Sequence, residues 1–82
     1  MAMKAVVYIF LKDGVLDVQG KAVESALHGL GFSAVARVRV GRSITFDLPA
    51  SDVSAAKTQV ETMCERLLAN PVIESYRVEI LS

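Results

Sequence analysis

His28 and Cys64 are the first candidates for a catalytic or metal-binding group in this sequence. His28 is the only histidine and Cys64 the only cysteine among 82 residues. A zinc site needs several clustered His, Cys or carboxylate ligands, and a nucleophilic cysteine needs a nearby base. Because neither residue has such neighbours in the sequence, we interpret His28 as a surface histidine and Cys64 as a structural thiol. We therefore expect no catalytic residue, no metal site and no cofactor on this chain.

Asp13 and Asp17 form a pair of carboxylates separated by four positions, around Gly14. Paired carboxylates can perform acid–base catalysis. A loop that leads into a helix explains these residues better, because Gly14 permits a turn and Asp17 can accept hydrogen bonds from the first free N–H groups of the helix. The spacing therefore predicts a helix that starts just after Asp17.

Arg37, Arg39 and Arg42 place three guanidinium groups close together in the sequence. They form either a solvated face or a site for the carboxylates of a partner or for another anion. Gly20 falls in the first turn of the predicted helix, where glycine costs up to about 1 kcal/mol relative to alanine. Either tight helix–sheet packing or close approach of a partner's backbone would explain it.

The hydrophobic pattern predicts the elements that position these residues. Residues 4–11 form a strand that is apolar on both faces, and residues 18–30 form a helix with one apolar stripe. Residues 35–48 alternate as a hairpin with its turn at 41–43. A second helix is capped by Ser51 or Asp52 and ends at Asn70-Pro71, and a last strand covers 75–80. The apolar stripe of the first helix consists of Val23, Ala26, Leu27 and Leu30.

This order, βαββαβ, predicts an α+β two-layer sandwich of ferredoxin-like type in a single domain, residues 1–82. Both helices would cover one face of a four-stranded antiparallel sheet. The other face would combine one apolar set of the first strand with charged side chains, a pattern that usually marks a protein interface. The polar members of this second face would be Arg37, Arg39, Thr45, Asp47, Arg77 and Glu79.

Composition narrows the class of protein further. The chain is 52% hydrophobic, which favours a packed core, and its formal net charge of zero argues against nonspecific binding to nucleic acid or anionic membranes. The single cysteine fits a reducing compartment, and no apolar run is long enough to span a bilayer, so we expect a cytoplasmic protein. Because so small a core supplies only about 3–5 kcal/mol, we also expect a homodimer.

Four segments in order resemble the PurS family, the small subunit of phosphoribosylformylglycinamidine (FGAM) synthase in purine biosynthesis. Residues 14–23, GVLDVQGKAV, resemble the family's GVLDPQGKAV, and residues 26–32, ALHGLGF, resemble its helix end. Residues 38–42, VRVGR, and 64–76, CERLLANPVIESY, are similar to its VRVGK and CEKLLANPVIEDY segments. Val18 replaces the usual proline and Arg42 a common lysine.

The resemblance implies a subunit without an active site of its own. It would bridge a PurQ-like glutaminase and a PurL-like synthetase, support ammonia transfer between them, and form a homodimer or a tetramer. ATP and Mg²⁺ would belong to the synthetase. The expected partner-binding residues are Lys12, Asp13, Gly14, Gln19, Gly20, Arg39, Gly41 and Arg42.

Parts of the sequence are also compatible with two other functions. A ferredoxin-like regulatory module could bind a small metabolite through the glycine loops at Gly14 and Gly31. A small phosphatase is suggested by Val18-Gln19-Gly20, which resembles part of the acylphosphatase phosphate loop. Glu24 stands where that family has its phosphate-binding arginine, and a carboxylate would repel the anion. The phosphatase interpretation therefore fails at the residue that carries the chemistry.

Overall fold

A computed structural model describes residues 2–49 and 52–81 and shows an α+β chain, as the sequence predicts. The elements, in chain order, are β1 (Ala2–Leu11), α1 (Val18–Gly29), β2 (Arg42–Pro49), α2 (Val53–Met63) and β3 (Glu74–Leu81). A π-helical turn, Cys64–Leu68, prolongs α2. Asp52 caps α2 by accepting a hydrogen bond from the Ser54 N–H at 3.1 Å, whereas the alternative cap, Ser51, lies outside the described residues.

The sheet is antiparallel, and its order is β2-β1-β3 with β1 in the centre. Val7 is paired with Ile44 on one side and Val78 on the other, so apolar side chains of all three strands share one face. This face packs against Ala56 and Val60 of α2, which are fully buried. The prediction that α2 covers the alternating apolar set of the sheet is therefore confirmed.

The second face of the sheet carries the other side-chain set of β1. Val6 is paired with Thr45 and Glu79, and Tyr8 with Arg77. The Arg77 guanidinium lies 4.6 Å from the centroid of the Tyr8 ring, a cation–π contact on an otherwise open surface. A mixed apolar and charged second face is thus confirmed for the part formed by β1, β2 and β3.

The prediction of a strand before the 41–43 turn is wrong. Residues 35–41, called the arm below, form no strand, so the described sheet has three strands rather than four. Arg37 has a φ of +56°, which interrupts an extended backbone. The N–H groups of Val38 and Val40 bond to side chains near α1 instead of to a neighbouring strand. Consequently Arg37 and Arg39 lie on the arm and not on the second face.

The expectation that α1 also covers the sheet is wrong within a single chain. The core cluster of the described residues includes no side chain of α1, and Val23 and Leu30 of its apolar stripe are 42% and 74% exposed. The chain is correspondingly elongated, with extents of 49 × 25 × 14 Å and a radius of gyration of 16.1 Å. A compact domain of this length would have a radius of gyration of about 12 Å. α1 and the arm therefore extend away from the core.

Candidate functional site

Asp17 connects three parts of the chain. One carboxylate oxygen, Oδ1, accepts a hydrogen bond from the Gly20 N–H at 2.8 Å, which confirms Asp17 as the cap of α1. The other, Oδ2, accepts one from the Val40 N–H of the arm, also at 2.8 Å, and lies 3.9 Å from Arg39 Nε. The N–H groups of Gly20 and Val40 hold the pKa of Asp17 below its usual value, with a smaller contribution from Arg39, and desolvation opposes them in part. Asp17 is therefore ionised, and both of its carboxylate oxygens accept hydrogen bonds from within the chain.

The polar side of α1 holds the rest of the arm. Glu24 accepts a hydrogen bond from the Val38 N–H at 3.1 Å, and this bond is the main cause of its lowered pKa. His28 Nε2 lies 2.6 Å from the Val35 carbonyl oxygen, and because a carbonyl can only accept, Nε2 carries the proton. Asp17, Glu24 and His28 are spaced by seven and four positions, which places them on one side of the helix. The apolar stripe lies elsewhere on the helix surface.

Two glycines allow close approach of backbone segments. A Cβ atom on Gly20 would overlap the Val38 carbonyl oxygen, and it would lie 2.6 Å from Asp17 Oδ2. A Cβ atom on Gly41 would lie 2.5 Å from the Ile9 carbonyl oxygen. Gly20 is therefore explained by the arm of its own chain, rather than by helix–sheet packing.

Arg39 and Lys12 connect the arm to the end of the sheet. Arg39 Nη2 donates to the carbonyl oxygens of Leu11 and Lys12, at 3.0 and 3.3 Å. Lys12 Nζ donates to the Pro71 carbonyl oxygen at 2.6 Å, and the Lys12 backbone N–H to that of Ile73 at 2.8 Å. The Arg39 side chain remains 40% exposed, so it is ordered by the chain and still accessible to a partner.

Arg42 anchors β2 to the turn before β3. Its Nη1 lies 2.7 Å from Glu74 Oε2, and its Nη2 donates to the Leu68 carbonyl oxygen at 2.7 Å. Glu74 also accepts the Asn70 N–H at 2.7 Å. Its bond with Arg42, followed by that with Asn70, lowers the pKa of Glu74. Arg42 therefore has a structural role in addition to being part of the surface.

The structure brings the eight expected partner-binding residues together at one end of the sheet. Three open grooves, of about 440, 260 and 520 Å³, surround the contact between Asp17 and Arg39. Gly20 is buried next to these grooves, against the Asp17 carboxylate. The grooves are lined, among other residues, by Lys12, Asp13, Gly14, Gln19, Arg39, Gly41 and Arg42.

Sequence reasoning missed the second role of Asp17 and the roles of Glu24 and Glu74. The spacing of Asp17, Glu24 and His28 is a signal for a shared helix side, but their partners are backbone groups, which have no sequence signature. Cys64 is fully buried, and burial raises its pKa, in agreement with a structural thiol. His28 is exposed, as expected.

Residues 2–49 and 52–81 contain no group of three potential metal ligands among His, Cys, Asp and Glu. Over the same residues, neither α-helix is long and apolar enough to cross a membrane.

Comparison with known proteins gives consistent results. The family described as "PurS: Phosphoribosylformylglycinamidine (FGAM) synthase" matches residues 4–82. The FGAM synthase subunit PurS of Synechocystis sp. is 47% identical over 90% of this chain and 74% of its own length. PurS of Methanocaldococcus jannaschii, a subunit of formylglycinamide ribonucleotide amidotransferase, is 40% identical with a TM-score of 0.85, covering 95% of this chain and 94% of its own.

A chain in the structure of PurLQS from Thermotoga maritima is 31% identical, with a TM-score of 0.88 over 99% of both chains. The elongated arrangement of the present chain is therefore similar to that of experimentally solved structures, including one taken from a complex.

Proposed function

Because this chain belongs to the PurS family, and is thus a subunit of FGAM synthase in purine biosynthesis, we propose that it is the bridging subunit of that ligase. It docks a PurQ-like glutaminase onto a PurL-like synthetase and supports the passage of ammonia between them. The synthetase binds ATP and Mg²⁺, and this chain contributes position rather than a reacting group. The complex acts in the cytoplasm.

The surface at the end of the sheet supports docking of proteins. It combines exposed charges of both signs, on Lys12, Asp13 and Arg39, with Phe10, which is 41% exposed. A small-molecule site normally buries most of its ligand in a closed cleft, whereas the three grooves here are open to solvent. These features favour protein partners over a small metabolite.

The uncovered apolar surface of the single chain supports a homodimer. The stripe of α1 lies outside the hydrophobic core of the described residues, and Ile44 and Phe46 of β2 are only partly buried on the core face. A second copy of the chain has the same two surfaces, so two copies related by a two-fold axis can each place α1 over β2 of the other. Burial of a Val or Leu side chain stabilises by about 1.5–3 kcal/mol.

Light scattering at micromolar concentration tests the dimer. We expect at least twice the protomer mass of 8.8 kDa. Leu30→Asp should produce monomers, whereas Leu67→Asp, at an 83% exposed position outside the stripe, is the control and should not. A wild-type monomer would contradict the proposed dimer.

The bridging role is tested by comparing two nitrogen donors. Glutaminase and synthetase are assayed with and without this chain, using either glutamine or a high concentration of ammonium. We expect omission of the chain to abolish the glutamine-driven reaction and to affect the ammonium-fed reaction much less. Full glutamine-dependent turnover by the two partners alone would refute the bridging function.

Charge reversal at Arg39 tests the location of the docking surface. Arg39→Glu should weaken capture of the partner subunits several-fold, because a reversed charge at an interface is strongly unfavourable. Lys57→Glu makes the same change at an exposed position of α2 and should leave capture unchanged. Equal capture by both variants would place the interface elsewhere.

A further inference from the structure

Hydrogen bonds to side chains hold much of the arm. None of its residues belongs to the hydrophobic core of the described chain. The N–H groups of Val38 and Val40 are instead bound by the carboxylates of Glu24 and Asp17. Two acidic side chains thus take the place that the carbonyl groups of a neighbouring strand would have in a sheet.

The same arm carries part of the proposed docking surface. Arg39 lies between the two anchored residues, Val38 and Val40, and its guanidinium reaches the carbonyl groups at the end of β1. Gly41 follows directly and packs its backbone against Ile9. The position of both residues therefore depends on how the arm is attached to α1.

We propose that Asp17 and Glu24 are positioning residues, whose carboxylates hold the arm in the orientation in which Arg39 and Gly41 meet the glutaminase or the synthetase. This inference rests on the proposed bridging function. An arm fixed in advance avoids the loss of conformational freedom that ordering on binding would cost. Release of the arm should therefore weaken docking while leaving the sheet and α2 folded.

Glu24 provides a variant pair that separates hydrogen bonding from charge. Glu24→Gln keeps an oxygen that can accept the Val38 N–H, whereas Glu24→Leu has a similar size and no acceptor. Asp17→Asn leaves one oxygen for two N–H groups, Gly20 and Val40, so one of the two bonds is lost.

Gly20→Ala should also release the arm from α1, by a different change. Its added Cβ atom would push the Val38 carbonyl away without removing any acceptor. Glu61→Leu, at an exposed position of α2, repeats the Glu→Leu change away from the arm and is the matched control.

Two measurements are made on each variant of the full chain. Amide hydrogen exchange at Val38 and Val40 reports whether the arm is released. Titration of the chain into glutaminase and synthetase gives the concentration for half-maximal glutamine-dependent activity and the plateau rate. Far-ultraviolet circular dichroism verifies the fold of each variant.

For Glu24→Leu and Gly20→Ala we expect faster exchange at Val38 and at least a tenfold higher half-maximal concentration, with the plateau nearly unchanged. Glu24→Gln and Glu61→Leu should stay within twofold of wild type. A general folding defect would also raise the half-maximal concentration, but it would lower the circular dichroism signal, which should stay equal to that of wild type in both variants.

Other outcomes overturn the inference. Faster exchange with an unchanged half-maximal concentration would show that the arm's position is irrelevant to docking. Unchanged exchange in Glu24→Leu would show that the carboxylate does not hold the arm. If the wild-type chain does not stimulate the glutamine-dependent reaction at all, the bridging function fails first, and this inference fails with it.

Discussion

Alanine substitutions at Gly20 and Gly29, both in α1, should change stability in opposite directions. Replacing glycine by alanine within a helix stabilises by up to about 1 kcal/mol, because alanine loses less backbone freedom on folding. Where the native backbone suits alanine, the measured gain is typically about 0.4–1 kcal/mol. Gly29 has nothing within 4 Å of an added Cβ atom, so this gain should appear in full there.

At Gly20 the added Cβ atom would meet the Val38 carbonyl and the Asp17 carboxylate. Overpacking of this kind typically costs about 1–3 kcal/mol, which exceeds the helix gain. We expect a net loss of about 1 kcal/mol for Gly20→Ala and a gain of about 0.5 kcal/mol for Gly29→Ala. For a domain of this size, these values correspond to a melting temperature roughly 4–8 °C lower and 2–4 °C higher, respectively.

Urea denaturation of wild type and both variants measures the difference. Protomer concentration must be equal in all samples, because association contributes to apparent stability. If Gly20→Ala is as stable as Gly29→Ala, the Val38 carbonyl is not held against the first turn of α1. The proposed attachment of the arm to α1 would then be wrong.

Three further predictions concern the helix start, the carboxylates and the thiol. Val18→Pro should raise stability by about 0.4–1 kcal/mol, because Val18 is the first helical residue after an extended Asp17; a lower melting temperature would contradict this placement. Hydrogen bonds stabilise the ionised forms of Asp17, Glu24 and Glu74 only in the folded chain, and their ordinary pKa values are 3.8, 4.5 and 4.5. Their contribution to the stability of the fold is therefore present above about pH 4.5 and is lost as the pH falls below that value. Thermal melts between pH 5 and 3 should show falling stability. A melting temperature that does not change over this range would refute the assignment of these hydrogen bonds. Cys64, which is fully buried with a raised pKa, should react with iodoacetamide only after denaturation; rapid alkylation of the folded protein would contradict its burial.

Local sequence determined the start of α1 and the core face of the sheet. Asp17 caps α1 at the predicted position because a cap needs only a short polar side chain and the N–H groups that follow it. The alternation of Ile44, Phe46 and Leu48 predicted which side of β2 faces the core, because successive side chains of a strand point to opposite faces. Such features depend on residues a few positions apart and are readable from one sequence.

The expected partner-binding residues rest on the family resemblance instead of on local patterns. The family resemblance predicts Lys12, Asp13, Arg39 and Arg42 as neighbours of a partner, but the spacing of these residues does not show what each side chain contacts. The carboxylate that holds Arg42 belongs to Glu74, which is 32 positions away. Contacts of this length have no local pattern, so only the folded chain reveals that Arg42 also fastens the turn before β3.

The placement of α1 and the arm was decided by tertiary structure alone. Ala36, Val38 and Val40 alternate with polar residues as a strand would, and the stripe of α1 has the period of a helix packed on a sheet. An apolar pattern indicates that a face will be covered, but it does not identify the covering surface or the chain that supplies it. Here the arm's N–H groups are bound by carboxylates 14 and 23 positions away, and the stripe lies outside the hydrophobic core of the described residues.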